Sequence, residues 1–248
     1  MYKTYWGMEF NPFTKEISEK DFFSSEDFKQ SLARLNHLKK IKGIGLFTGL
    51  SGTGKTYSLR YFKSTLNPSL YRVIYLPLST LTVKEFYTSI CKGLYIQPVH
   101  KKIDMFNEIQ KRILTLSKDK KITPIIILDE AQYLSTKVLN DLKIIMNFCM
   151  DSENHMVLVM CGQPVLNNII SKNIHEPLKQ RITVKYNFSG FSKTETTSYI
   201  TNRLKLCGVS TNMFSSNTIE AIYGYCNGFP RVLNTIIEKC LMIGFQKK

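Results

Sequence analysis

The sequence predicts an α/β fold in which a central parallel sheet is flanked by helices and followed by a small C-terminal helical domain. As far as about residue 190, apolar segments of strand length alternate with segments whose apolar residues recur at helical spacing. This alternation is typical of a parallel sheet covered by helices on both faces. Beyond it only helical patterns follow: Ser192 and Asn217 each precede a Glu by three residues, as helix-capping residues do, and Pro230 opens a last helix. We therefore expect two domains, residues 1–190 and residues 191–248.

Five strands and six helices of the first domain can be placed from local patterns. The strands are expected at residues 43–48, 72–76, 124–128, 156–161 and 182–188. The helices are expected at residues 25–40, 54–65, 103–116 and 136–150, with two more beginning at Thr82 and after Pro164. Thr82 and Glu85 have the spacing of a capping box, and Ser24 or Ser25 can cap the first of these helices.

The bulk composition predicts an ordinary globular protein of the cytoplasm. The 248 residues are 43% hydrophobic and 21% charged, and no apolar run approaches the roughly 18 residues of a membrane span. The first residues lack the apolar region of a signal peptide, so we expect a cytoplasmic protein without a membrane partner. None of the six cysteines forms a Cys-x-x-Cys pair, which favours free thiols in a reducing compartment.

The strongest chemical signal is the glycine-rich segment at residues 49–56, which reads Gly-Leu-Ser-Gly-Thr-Gly-Lys-Thr and matches the P-loop pattern. It follows a strand and opens a helix, so backbone N–H groups and the helix N-terminus can face phosphate oxygens. Lys55 is predicted to reach the β- and γ-phosphates of ATP, and the Thr56 hydroxyl to bind Mg²⁺. Nucleotide contacts are predicted from Gly49, Ser51, Gly52, Thr53, Gly54, Lys55, Thr56 and Tyr57. The sequence thus predicts a P-loop NTPase that hydrolyses ATP.

Two carboxylates, Asp129 and Glu130, directly follow the apolar segment 125–128. Ligands of open parallel sheets bind at the carboxyl ends of the strands. Asp129 is therefore predicted to hold Mg²⁺ through water, and Glu130 to orient and polarise the attacking water. A solvated strand end is the alternative. Because 74 residues separate Lys55 from Asp129, the predicted strand 72–76 fits between them, which favours P-loop enzymes with an additional strand between the two motif strands.

The first 23 residues contain seven aromatic side chains, interrupted at Asn11-Pro12 by a turn signal. They allow two interpretations. In one, the segment is an arm packed on the core. In the other, it is a hydrophobic wall for the nucleotide base, contacted through Pro12 and Phe13.

Together these motifs resemble the AAA+ ATPases, and three further positions fit that family. The resemblance implies a polar sensor of the γ-phosphate at Gln163, an arginine finger for a neighbouring subunit's nucleotide at Arg181, and a lid arginine that contacts the phosphates at Arg231. The alternatives are a turn residue for Gln163 and solvent-exposed arginines for the other two.

The chain resembles more closely the ExeA-like and TnsC/MuB-type ATPases of transposons, over nearly its whole length. The resemblance rests on the aromatic opening 5–13, the P-loop and the segments 128–132, 161–164, 178–182 and 228–231. Secretion-type ExeA proteins carry a membrane segment and a wall-binding domain after the ATPase, and neither follows here. The resemblance therefore implies a regulator of transposition that assembles on target DNA in ATP as a ring or helical oligomer. It recruits or activates a transposase and disassembles on hydrolysis.

The net charge of +15 is consistent with a nucleic-acid partner. Only seven of the 34 basic residues are Arg, and the lysine bias of an AT-rich genome is the alternative explanation. Candidate contacts with the phosphates of double-stranded DNA, largely independent of base sequence, are Lys84, Lys101, Lys102, Lys118, Lys120 and Lys121. Solvated surface positions are the alternative for each.

Two other function classes stay open. One is a different AAA+ switch, of the replication-initiator or helicase-loader type, for which a base-reading domain is expected and none is found in the sequence. The other is a secretion-associated or signalling ATPase that binds no DNA.

Overall fold

The computed structural model describes residues 2–14, 17–18, 21–77, 80–211 and 213–247. Within them strands alternate with helices as far as Phe188, and helices follow. The strands are β1 (Ile44–Gly49), β2 (Tyr71–Leu76), β3 (Thr123–Leu128), β4 (Val157–Gly162) and β5 (Ile182–Phe188). The helices are α1 (Tyr2–Tyr5), α2 (Glu26–Ile41), α3 (Lys55–Ser64), α4 (Val83–Gly93), α5 (Lys102–Leu114), α6 (Thr136–Ile145), α7 (Val165–Ile170), α8 (Glu176–Gln180), α9 (Lys193–Leu206), α10 (Ser216–Cys226) and α11 (Pro230–Gln246).

The strands form one parallel sheet in the order β2-β3-β4-β1-β5, which confirms the predicted fold class. β1, β3 and β4 are buried along their whole length, because helices cover both faces of a parallel sheet. The strand that lies between β1 and β3 is β4. The sequence had placed the segment at 72–76 in that role, but β2 lies at the edge, beyond β3.

Several helix ends follow the predicted local chemistry. The Thr82 hydroxyl accepts a hydrogen bond from the Glu85 N–H at 3.3 Å, and the Glu85 carboxylate accepts one from the Thr82 N–H at 2.8 Å. Ser192 and Glu195 form a second capping box. Ser25 caps α2 by accepting from the Phe28 N–H at 3.2 Å. These side chains satisfy N–H groups that have no partner inside a helix.

Two predicted helix limits are wrong. The helix expected at 136–150 ends at Ile145, and the left-handed residues Cys149 (φ 48°) and Met150 (φ 55°) follow in a separate turn. No glycine marks this change of backbone direction in the sequence. The cap of α10 is Ser215, whose hydroxyl accepts from the Thr218 N–H at 3.3 Å, and Asn217 lies inside the first turn.

The chain divides into two compact units. The sheet unit comprises residues 31–50 and 55–187. Its core joins apolar side chains of the strands, such as Ile126 and Leu158, to those of the covering helices, such as Phe86, Ile109 and Leu142. Full burial of one such side chain stabilises the fold by roughly 1.5–3 kcal/mol.

The helical unit lies within residues 1–30, 51–54 and 188–248. Met8 and Phe13 of the N-terminal arm are buried in one cluster with apolar residues of the last three helices. The Trp6 indole donates to the Leu241 carbonyl at 2.9 Å. The arm therefore groups with the C-terminal helices, whereas the sequence had assigned it to the first domain; the domain limits 1–190 and 191–248 stay a prediction.

None of the helices in the described ranges is both long and apolar enough to cross a membrane.

Candidate functional site

The P-loop connects the buried strand β1 to helix α3, and its lysine is buried. Lys55 is 6% exposed, and its ammonium donates to the carbonyls of Gly49 at 2.8 Å and Leu50 at 2.9 Å. A buried ammonium requires such acceptors, because its desolvation is otherwise costly. An ammonium has three N–H donors. Two of the Lys55 donors reach the carbonyls of the loop, so the third can donate to a phosphate oxygen.

Two glycines of the loop have backbone angles that other residues adopt only with strain. Gly54 has φ +102° and Gly52 has φ +86°. A Cβ atom on Gly52 would lie 2.8 Å from the Cβ of Arg231, within the helical unit. Positive φ angles of this kind occur in phosphate-binding loops, where successive N–H groups point toward one anion.

The predicted magnesium ligands lie next to each other at the carboxyl end of the sheet. Asp129 is 4% exposed, and its Oδ2 accepts a hydrogen bond from the Thr56 hydroxyl at 3.1 Å. Its Oδ1 accepts from the Glu130 N–H at 3.0 Å. A hydroxyl and a carboxylate in this arrangement are oxygen donors of the type that Mg²⁺ takes, with waters filling its remaining positions. The residues present therefore fit the ion.

Tyr75 is a member of this site that the sequence had not indicated. Its hydroxyl donates to the same Asp129 Oδ2 at 2.8 Å. Burial raises the pKa of the Tyr75 phenol, and the hydrogen bond to Asp129 raises it further, so the phenol stays a proton donor at physiological pH. The pairing of β2 with β3 sets Tyr75 beside Ile127, two residues before the carboxylate.

Glu130 follows Asp129 in a left-handed conformation, with φ 52°. Sparsely populated backbone angles at non-glycine residues concentrate at functional sites. The Glu130 Oε2 accepts a hydrogen bond from the Gln132 amide at 2.7 Å. The other end of that amide, Oε1, accepts from the Gln163 N–H at 3.0 Å. One side chain thus links two of the predicted catalytic residues, and it too was absent from the sequence-predicted site.

Arg181 ends helix α8 within the sheet unit, directly before β5. Its guanidinium donates to the Lys143 carbonyl at 2.7 Å, near the end of α6. The role of Arg181 as an arginine finger stays a prediction.

Arg231 lies in the first turn of α11. Its guanidinium donates to the Ser51 hydroxyl of the P-loop at 2.8 Å, and its N–H donates to the Gly52 carbonyl at 3.4 Å. All three residues belong to the helical unit. This contact places Arg231 on the loop that it was predicted to serve, while its contact with phosphate stays a prediction.

The aromatic arm packs within the helical unit, and its contact with the nucleotide base stays a prediction. Pro12 is buried, and Phe13 is 3% exposed among the apolar side chains of the helical unit. A side chain so enclosed offers little surface to a nucleotide base. The predicted contact of both residues with the base therefore has no support from their burial.

The six candidate DNA-binding lysines separate into two groups. All six, including Lys84, Lys101, Lys120 and Lys121, are exposed, and two of the six form ion pairs. The Lys102 ammonium pairs with the buried Asp141 carboxylate at 2.7 Å, and the Lys118 ammonium pairs with Glu153 at 2.8 Å. Because their charges are engaged within the fold, Lys102 and Lys118 are weaker candidates for phosphate contacts.

Comparison with known proteins supplies a family. The model of the AAA domain family matches residues 38–170, more than half of the chain. General secretion pathway protein A of Aeromonas hydrophila is 28% identical over 252 residues, an alignment that covers 100% of this chain and 45% of that protein. The chain thus spans less than half the length of this relative. The ExeA-like part of the predicted resemblance is confirmed.

Solved structures share the fold at low identity. Cdc6p from Pyrobaculum aerophilum superposes with a TM-score of 0.71 and 16% identity, over 95% of this chain and 66% of that one. The ORC1 protein of Aeropyrum pernix, solved in complex with DNA, gives a TM-score of 0.68 and 15% identity, over 96% and 64%. Such likenesses bear on the fold alone. The family match and the P-loop agree: the chain belongs to the AAA domain family and is an AAA+ ATPase that binds ATP with Mg²⁺.

Proposed function

We propose that this ATPase is a cytoplasmic switch that assembles on duplex DNA in its ATP state, regulates transposition by recruiting or activating a transposase, and leaves the DNA when ATP is hydrolysed. The observation that carries the switch is the convergence of Thr56, Asp129 and Glu130 at one end of the sheet. Different residues at this end are proposed to bind ATP and to hydrolyse it. The nucleotide in the site, ATP or ADP, can therefore determine whether the protein stays on DNA or leaves it.

The proposed hydrolysis assigns each group one task. Lys55 and the N-terminus of α3 hold the phosphates, since both present positive charge. Thr56 and, through water, Asp129 would hold Mg²⁺, which when bound would neutralise charge on the phosphate oxygens. Glu130 accepts a hydrogen bond from the attacking water and takes its proton as the water adds to the γ-phosphorus, while the bond from that phosphorus to the β,γ-bridging oxygen breaks and ADP leaves. Only Glu130 acts on the water, so its removal should spare nucleotide binding.

DNA binding is supported by charge. The net charge is +15, and the exposed lysines Lys84, Lys101, Lys120 and Lys121 offer contacts to phosphates. Contacts of this kind release counterions and carry no base information, so the affinity should fall steeply with salt. The fold is shared with a protein that was solved on DNA, which is consistent with such a role.

Self-association is proposed from Arg181, which would reach the nucleotide of a neighbouring copy. An arginine supplied from another subunit stabilises charge in the transition state and affects turnover more than affinity. We expect Arg181→Ala to lose turnover while binding ATP normally. Mixing it with Lys55→Ala subunits, which contribute an intact Arg181, should restore part of the activity. Absence of any rescue at all mixing ratios would assign Arg181 a role within its own subunit.

Two other functions each have an observation in their favour. The alignment with General secretion pathway protein A over the whole chain favours a secretion-associated ATPase without DNA binding. The fold shared with Cdc6p favours a switch of the initiator or helicase-loader type.

Fluorescence anisotropy of labelled duplex DNA separates these functions. The probe is titrated with protein in a non-hydrolysable ATP analogue, in ADP and without nucleotide, over a series of KCl concentrations. The proposal predicts tight, salt-sensitive binding with the analogue, no preference among sequences, and little binding in ADP. Binding to one sequence only would favour the initiator type. No binding at low salt would sink both DNA functions and leave the secretion-associated one.

Glu130→Gln provides the matched release experiment. This variant should bind the same DNA in ATP and remain bound after wild type has dissociated. Release of the variant at the wild-type rate would show that hydrolysis at Glu130 does not time dissociation.

A further inference from the structure

We infer that Gln132 is a positioning residue for ATP hydrolysis: its side-chain amide orients the Glu130 carboxylate and fixes that carboxylate to the end of β4. The inference deepens the proposed function and rests on Glu130 being the group that activates water. Gln132 is not among the predicted nucleotide or metal ligands. Three observations support the inference.

The first observation is that both ends of one amide are occupied. The Nε2 of Gln132 donates to Glu130 Oε2 at 2.7 Å, and its Oε1 accepts from the Gln163 N–H at 3.0 Å. An amide held at both ends cannot rotate without breaking a bond. Since Gln132 is only 9% exposed, water compensates poorly for either loss. The Glu130 carboxylate is therefore held against a fixed donor.

The second observation is the backbone on which Glu130 sits. Glu130 has φ 52°, a conformation that costs energy for a residue with a side chain. The short turn Ala131–Tyr133 begins directly after it and carries Gln132. This arrangement turns the amide back toward the preceding carboxylate. The bond from Gln132 engages the Oε2 atom of Glu130. The Oε1 atom of Glu130 can then accept a hydrogen bond from water, as a general base requires.

The third observation is the space that β4 leaves for the amide. A Cβ atom built on Gly162 would lie 2.5 Å from Gln132 Oε1, closer than packed atoms approach. Its next neighbours would be Leu166 Cδ2 at 3.1 Å and the Ala131 N at 3.4 Å. Glycine at the last position of β4 is thus what lets the amide lie between the two strand ends.

The inference predicts a loss of turnover at constant affinity. Gln132→Ala should lower kcat for ATP about 10- to 100-fold, the range found when a partner that orients a functional side chain is removed. The KM for ATP and the affinity for a non-hydrolysable analogue should stay within about 2-fold, because no phosphate contact is removed. A thermal melt checks that each variant folds.

Gln30 serves as a matched control, because its amide makes the same type of hydrogen bond away from the site. The Gln30 amide donates to the Glu26 carboxylate at 2.7 Å on the exposed surface of α2. Gln30→Ala removes an amide-to-carboxylate bond of equal length and should leave kcat unchanged.

Gln132→Glu tests which end of the amide matters. A carboxylate at this position can still accept from the Gln163 N–H but no longer donates to Glu130. We expect kcat to fall as in Gln132→Ala. Wild-type kcat in Gln132→Glu would show that only the anchor to β4 is needed, against the inference.

Gly162→Ala provides an independent route to the same displacement. The added methyl should push the amide away and lower kcat in the same direction. In a Gln132→Ala background, where the amide is gone, the same change should have little further effect on kcat. Additive losses would mean that Gly162 acts through another contact.

The outcomes distinguish this inference from the proposed function. If Glu130→Gln abolishes turnover while Gln132→Ala keeps kcat within 2-fold of wild type, the positioning role is wrong and the function of Glu130 stands. If Glu130→Gln itself keeps wild-type turnover, Gln132 has no catalytic carboxylate to orient, and both fail.

Discussion

Strands β3 and β4 carry polar clusters at both ends, and the two clusters hold their charges in different ways. At the amino ends, Glu153 accepts hydrogen bonds from the Lys118 ammonium at 2.8 Å and from His155 at 2.6 Å. At the carboxyl ends, Asp129 accepts from the hydroxyls of Thr56 and Tyr75, and Glu130 from an amide. The first arrangement pairs a charge with its opposite. The second orients carboxylates with neutral donors.

The amino-end cluster contains side chains that could bind a metal, but its carboxylate is already paired with a cation. Ligand atoms of Cys149, Glu153 and His155 lie within 4.8 Å of one another. The Lys118 ammonium, however, already pairs with the Glu153 carboxylate. Two hydrogen bonds lower the pKa of Glu153 to about 2: the one from Lys118 has the larger effect, and the one from His155 the smaller. The carboxylates at the carboxyl end accept from neutral donors, so no neighbouring cation in these bonds neutralises their negative charge. That charge can attract a cation or a water, which distinguishes the carboxyl-end site.

The largest predicted effect separates two lysines, one at each end. Lys55→Ala should weaken ATP binding about 100-fold or more, because charge-assisted bonds to phosphate contribute roughly 1.5–3 kcal/mol each. Lys118→Ala should leave ATP affinity unchanged in the absence of DNA. Titration with a fluorescent ATP analogue measures both. Equal losses of ATP affinity in the two variants would show that Lys55 has no special role in binding ATP.

A smaller effect is predicted from the two tyrosines of β2. Tyr75→Phe removes a donor from Asp129, while the Thr56 bond remains. We expect kcat to fall about 10-fold and the Mg²⁺ concentration for half-maximal activity to rise, as for the loss of one outer-shell partner. Tyr71→Phe, at the amino end of the same strand, is the control. A Mg²⁺ titration that is identical in the two variants would exclude Tyr75 from the metal site.

The smallest effect is predicted at Glu153. Its pKa is lowered in the folded state to about 2 from an ordinary value of 4.5, so its stabilising contribution is complete above 4.5 and is lost as the pH falls through 2. Glu153→Gln should lower the Tm by about 2 °C or less at pH 7, because the pair is exposed. The difference should shrink between pH 4.5 and 2, and turnover should be unchanged. A Tm difference that persists at pH 2 would require another cause.

The sequence was sufficient for the parts of the site that one segment encodes. The P-loop and the Asp129-Glu130 pair are local patterns, and their apolar strands identify themselves by composition. Tyr75 lies 54 residues before Asp129 and reaches it only because β2 pairs with β3. No local pattern specifies that pairing.

Other differences have local but hidden causes. The contact of Gln132 with Glu130 depends on a left-handed backbone at a glutamate, which residue type does not indicate. Likewise, α6 ends before left-handed residues at Cys149 and Met150. Phe13 is apolar, which predicts burial, but the sequence could not say that its partners are the C-terminal helices.

The most direct test of the account is ATP hydrolysis by Glu130→Gln under single-turnover conditions, with nucleotide affinity measured on the same preparation. We expect ATP affinity within about 2-fold of wild type and a hydrolysis rate reduced at least 100-fold, because the variant keeps every proposed phosphate and metal contact but lacks the base. Hydrolysis at a rate near wild type, with ATP bound normally, would contradict the assignment of the carboxyl-end site as the centre of catalysis.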